Sequence, residues 1–253
     1  MIGKKIIIKQ QPKRKLKGVA DIVFVIDNSR SMRKFINELR SRINDFINTV
    51  GSNPQLSWLD YRLGIVCATV KKEKDSYMPY FYELNFTSNI EEFKKALGNI
   101  PLGGNEFTLP AIDRALDFPW RKATRIVIVF TDETIDTGYD PEYQKRQFPL
   151  LRKKIMNLHI TLFLIAPKCK EYEELATLPK SIVSFLKDKK DFEDLSFINT
   201  VLQFMGKTVS QSIVTDYKSP MESNKEKELY LKPIYPLKTK IVINLINLQK
   251  REV

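Results

Sequence analysis

Two apolar runs, each closed by an aspartate, restrict the fold more than any other feature. Residues 20–26 read ADIVFVI and lead into Asp27; residues 125–131 read RIVIVFT and lead into Asp132. Runs this continuous mark strands buried on both faces, and such strands belong to parallel sheets covered by helices on each side. The segments between and beyond them alternate in the same sense. Helical spacing runs over 32–50 through Met32, Phe35, Ile36, Leu39, Ile43, Phe46, Ile47 and Val50, and Gly51 and Pro54 end it. Residues 61–70 predict a strand, and 77–86 an edge strand because Pro79 has no ladder donor. Residues 89–97 predict a short helix capped from Ser88, with Glu91 and Glu92 in its first turn. Gly103 and Gly104 mark a loop before a helix over 109–116. Helix over 142–157, strand over 158–166, helix over 171–177, strand over 181–186 and helix over 192–210 complete the order. The alternation predicts an α/β fold, a doubly wound and mostly parallel sheet with helices on both faces.

Composition sets the outer limits. The chain has 253 residues, 43% of them hydrophobic, enough for one large core. The net charge of +12 is unevenly placed: residues 1–18 carry seven basic and no acidic side chains, residues 215–253 a net +3, and about +2 remains for the body. This divides the chain into a basic arm over 1–18, read as a strand or an extension, a domain over 19–212 and a C-terminal extension over 213–253. Past Val214 the pattern breaks: SPMESNKEKE reads as a polar loop, and KTKIVINLINLQK as strand or helix. As a strand it could pair with KKIIIK near the start. No apolar run approaches the roughly 20 residues of a membrane span. The N-terminus lacks a signal peptide's apolar stretch, so the expected location is cytoplasmic, with no membrane contact. Cys67 and Cys169 have no pairing or metal spacing and read as reduced, structural thiols.

Asp27 is followed by oxygen-bearing side chains at every second position, Ser29 and Ser31. In a doubly wound sheet the carboxyl ends of the strands bind ligands, and Asp132 ends a strand on the same rim. Two carboxylates brought together repel unless a positive charge separates them. Neutral hydroxyls with a limited number of carboxylates suit Mg²⁺ or Mn²⁺. The sole histidine, His159, is read at the opposite end of its strand, so zinc lacks ligands.

The stretch D27-N-S29-R-S31 after a buried strand resembles the D-x-S-x-S motif of von Willebrand factor type A domains, and T131-D132 is similar to that family's third metal loop. The resemblance covers roughly residues 19–212. It implies a mostly parallel, doubly wound sheet with one antiparallel edge strand, and a metal-ion-dependent adhesion site. The family's second loop brings a threonine; here the loop is G103-G-N-E106-F-T108-L-P-A111, and the count back from Ala111 falls on Glu106 while Thr108 matches the second threonine of the pattern. Both stay open as the second-loop ligand. The implied ligand set is Asp27, Ser29, Ser31, Glu106 or Thr108, and Asp132, with Asp27 and Asp132 acting through water or by holding the serines. The resemblance further implies that an Asp or Glu carboxylate of a protein partner fills an open position on the metal, and that the last helix moves with it. Asn28, Arg30, Glu133 and Tyr139 would form the rim that meets the partner.

These features point to a metal-dependent protein-docking module in a multi-protein bacterial assembly of the stress, tellurium-resistance or defence type. Enzyme chemistry is not expected. Ser29 stands where D-x-D phosphatases need their second aspartate, and G-x-S-x-G, G-x-x-x-x-G-K-[ST] and G-x-G-x-x-G are all absent. The competing reading is nucleic-acid association through residues 1–18, which are basic but lack aromatics for base stacking.

Overall fold

In the computed structural model, which describes residues 16–73, 76–103 and 106–226, the two aspartate-closed runs lie side by side at the centre of one sheet. The elements in chain order are β1 (Leu16–Ile26), α1 (Arg33–Gly51), β2 (Leu56–Glu73), β3 (Ser76–Thr87), α2 (Ile90–Gly98), α3 (Thr108–Leu116) and β4 (Thr124–Phe130). They continue with α4 (Pro141–Asn157), β5 (Thr161–Ala166), α5 (Lys170–Leu175), β6 (Ser181–Phe185), a 3-10 turn (Lys189–Glu193) and α6 (Leu195–Glu226). The strand order is β3-β2-β1-β4-β5-β6. Only β3 runs antiparallel, at the edge where Pro79 needs no partner. The sheet is therefore mostly parallel with one antiparallel edge strand, as expected.

Alternation along each central strand feeds two cores. Ile22, Phe24 and Ile26 of β1 point toward α1, α2 and α6, together with Ile126, Ile128 and Phe130 of β4. Val23 and Val25, with Val127 and Val129, point toward α3, α4 and α5. Helix α1 lays Phe35, Leu39, Ile43, Phe46 and Val50 into the first core at helical spacing. Helix α6 closes the same face through Ile198, Val201, Met205 and Val209. Cys67 is free and buried in β2, and Cys169 is free at the start of α5. Among the described residues no helix is long and apolar enough to cross a membrane.

Several boundaries differ from the sequence reading. Strand β1 begins at Leu16, so residues 16–18, the end of the segment read as a strand or an extension, continue the sheet and pair with β2. The rest of the arm and the KTKIVINLINLQK segment lie outside the described residues. Helix α2 is capped by Asn89, whose side chain accepts the N–H groups of Glu91 and Glu92; Ser88 is one residue too early. Strand β5 begins at Thr161, not 158, because Leu158 ends α4 and His159 turns the chain with φ 53°. Leu158 and Ile160 pack in the second core, which explains their apolar character without strand geometry. Helix α6 continues to Glu226, through the stretch read as a polar loop.

One buried charge went unnoticed in the sequence. Asp21 of β1 is fully buried, and its carboxylate accepts from Arg62 Nε and Nη2 at 2.9 and 2.6 Å. It also accepts from the Arg121 N–H at 2.8 Å and Arg121 Nε at 2.9 Å. Arg121 reaches on to Asp60. Burial alone would raise the Asp21 carboxyl, but the bonds from Arg62 and Arg121 outweigh it and hold it below its ordinary value.

Candidate functional site

The strand order reverses between β1 and β4: from β1 the chain moves outward to β2 on one side, and later fills β4 on the other. Such a switch point opens a crevice at the carboxyl ends of the two strands. Asp27 follows β1 and keeps its register, its N–H donating to Phe130 O at 2.9 Å. Thr131 and Asp132 follow β4, with the Thr131 N–H bonded to Ile165 O at 3.1 Å. The sheet ladder thus delivers both aspartates to the same crevice.

Asp27 is almost fully buried and both of its oxygens are used. Oδ1 accepts the Ser29 N–H at 2.7 Å, and Oδ2 accepts the Thr131 hydroxyl at 2.9 Å. The first bond folds the backbone after β1 so that the two serines face each other, with Ser29 Oγ and Ser31 Oγ 2.8 Å apart. Ser29 Oγ also lies 3.4 Å from Asp132 Oδ1. Four of the sequence-selected residues, Asp27, Ser29, Ser31 and Asp132, therefore form one connected group. Among the described residues, the groups bonded to the Asp27 and Asp132 carboxylates are hydroxyls and one amide N–H, none of them positive. Burial, then the charge of Glu106, then that of Asp132 raise the Asp27 carboxyl to about 8, against the opposing bonds from Ser29 and Thr131.

The second loop meets this group from the side. The Gly103 N–H donates to Asn28 O at 2.8 Å, and Asn28 Nδ2 donates to Pro101 O at 2.8 Å. Gly103 has φ 108°, a conformation that glycine adopts without strain. Asn28 is only 2% exposed. It is a clamp on the second loop and not a rim residue, which corrects the sequence reading; its amide is directed to a backbone carbonyl of that loop. Arg30 and Ser31 are exposed, and Glu106, Glu133 and Tyr139 are half-buried. Tyr139 donates its N–H to Glu106 O at 2.8 Å, and its ring meets Phe107 edge-on. A side chain at Gly138 would come within 3.0 Å of Glu106 O, so this close approach of third loop to second needs glycine.

Thr108 opens α3, and Tyr172 lies close to its side chain. Tyr172, in α5, is fully buried and also approaches Glu133 O at 3.4 Å. It ties the second loop to the third. Gln144, buried in α4, does the same from another direction: Oε1 accepts the Leu109 N–H at 3.1 Å and Nε2 donates to Tyr139 O at 2.7 Å. Neither residue has a sequence signal, since both act from helices distant in the chain. Thr131 had one, as the residue before Asp132, but its bond to Asp27 depends on β1 and β4 being neighbours.

The donor chemistry fits a hard cation. Among the described residues no three His, Cys, Asp or Glu side chains gather closely enough to hold a metal themselves. A cation here would depend on hydroxyl oxygens beside a small number of carboxylates, the set that Mg²⁺ and Mn²⁺ accept.

A doubly wound sheet with hydroxyls and carboxylates gathered at its switch point defines a Rossmann-like α/β domain. The profile of the von Willebrand factor type A domain matches residues 21–203, and the chain belongs to that family. No curated protein sequence matches it. Among solved structures, a von Willebrand factor type A protein from Catenulispora acidiphila is similar with a TM-score of 0.51 and 15% identity, over 76% of this chain and 43% of that one. Proximal thread matrix protein 1 from the mussel byssus gives 0.47 and 19%, over 75% and 46%. The chain spans less than half the length of either structure, and at these identities the likeness concerns the fold.

Proposed function

We propose that the chain is a protein-docking module, the general role of its family, and that it docks through a bound Mg²⁺ or Mn²⁺. One observation carries the reading: Ser29, Ser31, Asp27 and Asp132 converge at the switch point, and among the described residues no positive group is bonded to either carboxylate. Ser29 and Ser31 supply neutral oxygens, Asp132 a carboxylate beside them, and Asp27 orients the first loop through Ser29. When bound, the cation attracts an Asp or Glu carboxylate of a partner protein. An acidic partner group would fill a coordination position that the chain's own oxygens leave open. The reading assigns no catalytic residue. It fits a subunit of a multi-protein bacterial assembly, in the cytoplasm.

For the second-loop oxygen the proposal takes Thr108. Thr108 is a buried hydroxyl at the start of α3 and continues the neutral oxygen set of Ser29 and Ser31. Glu106 then acts at longer range, as a charge felt by Asp27. Titration of Mn²⁺ into Thr108→Val is expected to show affinity lowered by roughly 100-fold or more, and into Glu106→Gln by only a few-fold, since outer groups usually change metal affinity less than ligands. The opposite ranking would return the assignment to Glu106.

Tyr172 positions Thr108 in this scheme. Tyr172→Phe keeps the buried ring and deletes only the hydroxyl. The expected result is Mn²⁺ affinity reduced on the order of 10-fold, within the range of outer-shell hydrogen bonds to metal ligands, with melting lowered by only about 2–4 °C. A lower melting temperature with unchanged affinity would make Tyr172 a packing residue alone.

A further inference from the structure

An open cavity of about 400 Å³ lies between α3 and α4, against β3. Its apolar wall is formed by Phe81, Phe107, Leu109, Tyr143, Leu150 and Leu151. Leu150 is 65% exposed and Tyr143 38%, so part of this wall faces water. The volume falls within the roughly 300–1,000 Å³ of sites that enclose a ligand group, and the mixture of aromatic and aliphatic walls is typical of them.

The polar lining restricts what can enter. Four charged side chains border the cavity: Asp113, Arg114, Asp117 and Lys154. Each is already engaged. Lys154 Nζ stands 2.9 Å from Asp113 and 2.7 Å from Asp117. Arg114 holds Glu83 through two bonds of 2.8 and 2.9 Å. A charged occupant would lose hydration without gaining an unmatched counter-charge. An uncharged apolar or aromatic group gains the full benefit of burial.

The cavity adjoins the docking crevice. Phe107 follows Glu106 directly, stacks on Tyr143 at 5.8 Å and 26°, and meets Tyr139 edge-on at 5.7 Å. Tyr139 is itself bonded to Glu106 O. One aromatic cluster thus floors the second and third loops on one side and walls the cavity on the other.

We infer that the cavity is a second docking point for the same partner. It takes an uncharged, large apolar or aromatic side chain from the segment whose carboxylate reaches the crevice. This inference rests on the docking reading above. It makes the recognised element an acidic residue with an apolar neighbour at a constant spacing, and it explains why the charges around the cavity are paired among themselves.

The test is selection of a random displayed peptide library on the full chain, in Mg²⁺ and in chelator. Wild-type protein is expected to enrich, in Mg²⁺ only, peptides that pair Asp or Glu with a large apolar residue at one spacing. Gln147→Trp adds an indole from an exposed α4 position that lines the cavity. It should retain the acidic preference, lose the apolar one, and bind the best wild-type peptide about 10-fold more weakly, a change of about 1.4 kcal/mol. Leu150→Glu, a second variant that places an unpaired charge at the mouth, must lose the same preference. Acidic peptides without an apolar preference, or an apolar preference that survives both variants, would overturn the inference and leave the docking reading standing. Apolar peptides without acidic residues, enriched equally in chelator, would overturn both and make the cavity an independent ligand site.

Discussion

Asp27→Ala is expected to abolish saturable Mg²⁺ and Mn²⁺ binding while the sheet stays folded. The residue lies just beyond β1, so the ladder to β4 does not depend on its side chain. The first loop does depend on it. Without Oδ1 the Ser29 N–H loses its acceptor, and without Oδ2 the Thr131 hydroxyl does too. A pH signature accompanies the loss. With its carboxyl raised to about 8, Asp27 keeps a proton in the folded state that the unfolded chain releases near the ordinary value of 3.8. A raised acid makes the folded state bind more protons than the unfolded state, so stability falls as pH rises through that interval. Chelated wild-type protein should therefore melt lower at pH 8 than at pH 5.5. A loss of about 2 kcal/mol would appear as roughly 4–8 °C. Asp27→Asn should reduce that slope in chelator. Mg²⁺ should reduce it in wild-type protein by favouring the ionised carboxylates. Melting equally pH-dependent in the variant would remove Asp27 as the cause.

Asp21→Ala is expected to have the largest effect on stability and little on metal binding. The substitution leaves two guanidinium groups, Arg62 and Arg121, facing a buried gap. Breaking a buried ion pair by removing one partner costs about 3–5 kcal/mol, a large part of the roughly 5–15 kcal/mol that a domain has. Melting should fall by about 10 °C. Asp21 sits six residues before Asp27 on the same chain, about 20 Å away at strand rise, so protein that remains folded should bind Mn²⁺ with wild-type affinity. The acid side follows from the lowered carboxyl: its contribution is present above the ordinary carboxylate range and is lost as pH falls through that range to the lowered folded-state value. A melting change under 2 °C, measured by calorimetry at neutral pH, would show that the network is not structural.

The residues of the crevice separate into those legible in the chain and those that are not. Asp27, Ser29, Ser31 and Asp132 were legible because each lies within a few residues of a strand buried on both faces, and the apolar run that marks the strand also marks its end. Their companions were not. Tyr172 reaches Thr108 from α5, Gln144 reaches Leu109 from α4, and Thr131 reaches Asp27 only because β4 is the neighbour of β1. Such contacts are products of topology, and no local spacing encodes them. Asn28 failed in the other direction: its place between Asp27 and Ser29 suggested the rim, but its amide is directed to Pro101 O. The end of α6 was misread for a related reason. Apolar periodicity marks the part of a helix that packs, through Ile213 and Val214 in the first core. Beyond them the chain continues helical to Glu226 without an apolar repeat in its sequence to mark it.

The central claim, that these hydroxyls and carboxylates hold a divalent cation, is tested most directly by calorimetric titration of Mg²⁺ and Mn²⁺ into chelator-treated full chain, beside Asp27→Ala. Saturable binding of one equivalent in wild-type protein, lost in the variant, is the predicted result. Binding that persists unchanged in Asp27→Ala, or no binding by wild-type protein even with a free carboxylate such as acetate added to stand for the partner, would contradict it.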